Sequence, residues 1–174
     1  MISNKKLSKI GYRVHLIDQR NHGRSFWSND FSYEQMAKDV ADYCETFKLK
    51  NVLLLGHSMG GKTAMNFAFN YPSLLKAMIV VDIAPKKYIT HHQKILQGLA
   101  GLNFDKIKSR NEADSFLSQF VLESEVRMFL LKNLYWKQPG KLGLRINIDV
   151  LKNSSDAIGE NLKSDTPSLH PCLF

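Results

Sequence analysis

The chain has 174 residues, 44% apolar and 23% charged, which reads as one soluble globular domain burying roughly 70% of its extended surface. No apolar run approaches a membrane span and the N-terminus has no signal-peptide core, so no membrane partner is expected; Cys44 and Cys172 make no disulfide framework, so a reducing, cytoplasmic setting is. The formal net charge of +8 is carried by lysines spread along the chain, neither gathered on one helix nor interleaved with aromatics, which indicates a solvated basic surface and no nucleic-acid partner.

Met1 to Ile10 is polar and basic, with Leu7 and Ile10 at helical spacing, and Gly11 follows as a helix stop. Arg13 to Asp18 alternates and then turns apolar, which predicts a strand ending at Asp18. Gln19 to Ser25 reads as a loop. Ser32 and Gln35 form a capping box that opens a helix with Met36, Val40, Tyr43 and Phe47 on one stripe.

Val52 to Leu55 is a short apolar run bounded by Gly56, the signature of a strand buried on both faces. A small-residue turn and a second helix follow, ending at Tyr71-Pro72 because proline blocks continuation. Ala77 to Asp82 is another apolar strand. Helices alternating with such strands predict an α/β fold built on a parallel sheet with flanking helices.

After Pro85 the pattern becomes helical, over Gln93–Leu102, after the Ser109/Glu112 capping box, over Ser124–Leu134 and over Ile148–Ile158. No strand of the buried type is expected between Lys86 and Thr166. This predicts three parts: a core over 1–85, a helical cap or lid inserted after Asp82 over 86–166, and the start of a further strand over 167–174.

Two motifs collide in the centre. Gly56-His57-Ser58-Met59-Gly60 is G-x-S-x-G, the nucleophile elbow of serine hydrolases. Gly56 through Gly61-Lys62-Thr63 is also G-x-x-x-x-G-K-T, a phosphate-binding loop. The phosphate reading, a nucleotide hydrolase, is the weaker one. Such a loop follows the first strand of its domain, whereas here a strand-loop-helix unit precedes it. Asp82 also follows Lys62 too soon to be the magnesium-binding acid.

The stretches Ile17 to Ser25, Gly56 to Lys62, Val81 to Pro85, Leu144 to Asn147 and His170 to Phe174 resemble the α/β-hydrolases. More closely, they resemble the YbfF-type bacterial esterases, relatives of the abhydrolase-domain enzymes. The resemblance implies hydrolysis of small acyl esters or thioesters through an acyl-Ser58 intermediate, with no cofactor and no metal. Ser58 would be the nucleophile and the Met59 N–H half of an oxyanion hole. Asp82 matches the position that orients the family's histidine. His57 is expected to point away and be structural, while Asp18, Arg20, Asn21 and His22 brace the loop.

The family's Gly-x-Gly-His loop and its upstream His-Gly loop have no match in this sequence. His15 and His170 lie in or beside strands, and His91 and His92 in the lid, so none is an evident base. The chain is therefore expected to be truncated at both ends, with little activity of its own. A remnant that binds a ligand or partner without catalysis is the alternative. In the family's sheet order, Arg13–Asp18 and Val52–Leu55 would flank an empty slot. The sequence does not fix acyl length or oligomeric state.

Overall fold

The computed structural model describes residues 4–88, 93–162 and 168–174. Its central sheet is parallel, in the order β1-β2-β5. In it β1 (Val52–His57) pairs with β2 (Leu75–Val81), Leu55 opposite Ile79 and His57 opposite Val81. On the other side of β2, Met78 lies opposite Cys172 of β5 (Cys172–Leu173). The further strand expected at the C-terminus is thus formed.

Two helices cover one face of this sheet. Helix α1 (Asn4–Lys9) precedes them and ends at Gly11, whose φ of 94° only glycine adopts freely. Helix α2 (Tyr33–Thr46) starts where the Ser32 hydroxyl accepts the Gln35 N–H at 3.2 Å. Its buried stripe is Tyr33, Met36, Ala37, Val40, Ala41 and Cys44, so Tyr43 and Phe47 sit to one side of the stripe read from sequence. Helix α3 (Met59–Asn70) is buried over most of its length and packs Met65, Phe67 and Ala68 on Val80 and Met78 of β2. Burial of a side chain such as Phe67 contributes about 2–3 kcal/mol.

The opposite face is bare. Leu53 and Leu55 are each 47% exposed, because no helix among the described residues covers that side. The reading of β1 as buried on both faces is corrected accordingly. Residues 12–19 form no strand, against the expectation for Arg13–Asp18. A strand exists only through a neighbour's ladder, and none among the described residues pairs with this segment. Its His15 packs instead on α2, with Nδ1 2.9 Å from the Tyr43 hydroxyl.

The part after Pro85 has its own apolar cluster. Helices α4 (Gln93–Ala100), α5 (Arg110–Leu117) and α6 (Ser124–Leu130) contribute Leu99, Ala113, Leu117 and, just beyond α6, Leu131 to it. The block is not purely helical. Helix α6 stops at Leu130, and an antiparallel hairpin follows, β3 (Leu134–Gln138) with β4 (Lys141–Leu144). Pro139-Gly140 makes its turn, with Gly140 at φ 74°. The hairpin lacks the pattern of a buried strand because Trp136 is 59% exposed; Leu134 and Leu142 are buried in the cluster and half-buried Leu144 packs against it.

Helices α7 (Ile148–Asn153) and α8 (Ser155–Gly159) then return to the core. Val150, Leu151 and Ile158 meet Tyr33, Met36 and Met59 in a third cluster. The seam is therefore packed directly under the start of α3. The boundary expected at Thr166 lies outside the described residues.

Candidate active site at the strand-to-helix turn

Ser58 is the single residue between the end of β1 and the start of α3. Its φ of 52° and ψ of −118° cost a non-glycine residue about 1–3 kcal/mol and persist only where the surroundings enforce them. They do. The Ser58 N–H donates to the Val81 carbonyl at 2.9 Å, and the Ser58 carbonyl accepts the Gly61 and Lys62 N–H groups at 2.8 and 3.2 Å. Gly56 is required because a Cβ there would strike the Gly60 carbonyl. Strand and helix cross this closely only without that side chain.

The turn leaves Ser58 exposed, and its hydroxyl makes no capping bond to α3. The Met59 N–H, first in the helix, meets no acceptor among the described residues. It lies at the positive end of the helix, where anions are favoured. The turn therefore offers a free hydroxyl beside a free donor.

Asp82 stands at the end of β2 with φ 57° and a side chain 85% exposed. The ring of His57 lies beside it, with Nε2 3.6 Å from Oδ2. His57, expected to point away from Ser58 and be structural, is 58% exposed with its ring beside Asp82. The parallel register sets His57 opposite Val81, so the two side chains meet at the carboxyl ends of adjacent strands. That register was the signal from which the pair could have been found.

The loop before α2 is braced as expected. Arg20 grips Asp39 through Nε and Nη2 at 2.6 and 2.7 Å and reaches the Asp30 carbonyl. The hydrogen bonds that Arg20 donates to Asp39 raise the Arg20 pKa against the opposing effect of burial. Asn21, at φ 64°, exchanges two bonds of 2.9 Å with the Ser28 backbone. Asp18 accepts the Arg24 N–H at 3.0 Å, and His22 sits 3.0 Å from the Arg20 carbonyl. Gln19 donates to Thr63 Oγ1 at 2.9 Å, tying the loop to α3.

A phosphate would find nothing to bind at Lys62 and Thr63. Lys62 is 1% exposed, and its ammonium donates to the carbonyls of Glu160 and Gly159. The Tyr33 and Tyr88 rings lie 5.5 and 5.2 Å from it. The Thr63 hydroxyl donates to the Met59 carbonyl. Both groups that a phosphate loop needs are consumed inside the fold. Sequence reasoning missed this inward anchor, since nothing local marks residues 159–160 as its target.

No histidine holds Ser58 among the described residues. The His15 ring is on Tyr43, the His22 ring on the Arg20 carbonyl and the His57 ring beside Asp82. His170 stands next to β5. His91 and His92 lie outside the described residues. Nor do the described residues hold any His, Cys, Asp and Glu cluster fit for a metal ion, and none of their helices is long and apolar enough to cross a membrane.

Comparison with known proteins agrees with this geometry. The family of the alpha/beta hydrolase fold matches over residues 3–120. The sn-1-specific diacylglycerol lipase ABHD11 of Mus musculus is 34% identical over 179 aligned positions, covering 99% of this chain and 58% of that protein. A putative esterase/lipase of Haemophilus influenzae is 38% identical over 123 positions, covering 70% of this chain and 43% of its own length. Among solved structures, a marine microorganism esterase superposes with a TM-score of 0.90 at 39% identity, over 97% of this chain and 67% of that one. The chain thus spans little more than half the length of the mouse protein. The family match and these relatives show that the chain belongs to the α/β-hydrolase family.

Proposed function

We propose that this chain carries the nucleophile of a serine ester hydrolase acting on small acyl esters or thioesters. The observation that supports it most is Ser58, held at φ 52° between β1 and α3 with its hydroxyl exposed. The names of the mouse lipase and the Haemophilus esterase/lipase favour an ester substrate. In this reading Ser58 Oγ attacks the acyl carbon. The Met59 N–H receives the developing oxyanion, the alcohol or thiol leaves, and water then frees the acyl group. Asp82 would orient the histidine that takes the serine proton, and residues 86–166 would form the cap over the acyl group.

The same structure supports low activity for the chain by itself. The Ser58 hydroxyl has no basic partner among the described residues. Loss of the base costs on the order of a millionfold in a serine hydrolase. A non-catalytic acyl-binding role is the second reading, favoured by that same unpartnered hydroxyl.

Supplying the base from solution tests the proposal. The chain and Ser58→Ala are compared on p-nitrophenyl butyrate across an imidazole series. A Ser58-dependent rate that rises with imidazole supports a competent elbow lacking its base. Identical rates for both chains at every imidazole concentration would remove Ser58 as the nucleophile.

A further inference from the structure

A cavity lined by none of the residues of the Ser58 turn has a composition suited to an anion. It has a volume of about 340 Å³ and is lined by Gly23, Arg24, Trp27, Tyr135, Leu144 and Arg145. One wall comes from the loop before α2, the other from the β3–β4 hairpin.

Backbone contacts stitch the two walls together. The Gly23 N–H donates to the Arg145 carbonyl at 2.7 Å, and the Arg145 N–H to the Asn133 carbonyl at 2.9 Å. His22 bridges Ile146. The Asn147 N–H donates to the Asn21 carbonyl at 2.9 Å, and its amide to Asn21 Oδ1 at 3.1 Å. The cavity is therefore a built feature of the seam.

Its polar groups are cationic and uncommitted. The Arg24 and Arg145 guanidinium groups have no carboxylate partner among the described residues. Arg145 lies over the Tyr135 ring, 4.9 Å from its centroid, which fixes the guanidinium without neutralising it. Trp27 is 58% exposed, with no ring stacked on it among the described residues. Asp18, the carboxylate next to Gly23, accepts the Arg24 N–H and does not line the cavity. The net charge of +8 adds a long-range pull on anions.

We propose that this cavity binds an anion carried on an aromatic ring, an aromatic carboxylate or an aryl phosphate, with its charge on Arg24 and Arg145 and its ring against Trp27 or Tyr135. Guanidinium groups bind such oxyanions through paired N–H donors. The aromatic walls supply the ring with apolar contact that a bare inorganic anion cannot use.

Trp27 and Trp136 are the two tryptophans of the chain, so Trp136→Phe leaves Trp27 as the reporter. Phenyl phosphate, benzoate, inorganic phosphate and benzyl alcohol are titrated at matched ionic strength, with Trp27 fluorescence read under excitation at its red edge. The wild-type chain, carrying both tryptophans, repeats the series as a control for the substitution. The expected result is a saturating change with phenyl phosphate and benzoate, weakened roughly tenfold in Arg145→Gln and in Arg24→Gln. Circular dichroism of each variant confirms its fold. Three outcomes would overturn the proposal: no saturation, affinity unchanged from the parent chain in folded Arg24→Gln and Arg145→Gln chains, or benzyl alcohol binding as well as the anions. Inorganic phosphate binding as tightly as phenyl phosphate would overturn the ring's part in it.

Discussion

His57 Nε2 lies 3.6 Å from Asp82 Oδ2, across the carboxyl ends of β1 and β2. The pair is wet, with side chains 58% and 85% exposed, and contacts of that kind contribute little. The backbone of Asp82 is the more demanding feature, since its φ of 57° suits Asn or Gly and penalises branched side chains.

His57→Gln and Asp82→Asn should therefore each shift unfolding stability by no more than about 0.5 kcal/mol. Asp82→Val should cost about 1–2 kcal/mol. Urea denaturation checks this. A large loss in Asp82→Asn would mean that the carboxylate itself holds the strand end together.

Lys62 makes the opposite prediction, because its charge is buried. Lys62→Met leaves the Glu160 carbonyl without its ammonium donor and should cost about 1–3 kcal/mol at neutral pH. Burial pushes the Lys62 pKa down from 10.5, with the Glu160 charge opposing. The unfolded chain therefore holds this proton more tightly, and charging Lys62 costs native stability. As pH climbs from the folded pKa towards 10.5, that cost disappears. The stability advantage of wild type over Lys62→Met should grow between neutral pH and the ordinary lysine range. Denaturation midpoints of the two chains across that range measure it. A shrinking advantage would contradict the burial argument.

The sequence signals that proved legible were those with local physical causes. The Ser32 and Ser109 caps formed because the N–H groups they satisfy lie within one turn. The elbow was readable because only glycine at 56 permits the close crossing. What failed depended on distant partners. Arg13–Asp18 has strand composition but no ladder neighbour among the described residues. Leu53 and Leu55 are apolar yet face outward. Pro139-Gly140 carried a turn signal, but the strands beside it are too short and half-exposed to read as buried. The inward aim of Lys62 depends on a segment nearly a hundred residues away, which no local pattern encodes.

The open side of β1 predicts association. Leu53 and Leu55, each 47% exposed, lie beside a strand edge that pairs with nothing among the described residues. Such surfaces recruit other chains. Sedimentation velocity should show concentration-dependent self-association of the purified chain, relieved in Leu53→Lys/Leu55→Lys. A wild-type chain that stays monomeric and unfolds reversibly would rule this out.

Intact-mass labelling with a fluorophosphonate, beside Ser58→Ala, tests the central claim most directly. We predict no adduct on the wild-type chain while its helical circular dichroism is retained: the turn is folded and Ser58 is exposed, but no base among the described residues reaches it. A stoichiometric adduct on the wild type, absent from Ser58→Ala, would contradict this. It would show that a base already reaches Ser58 in this chain.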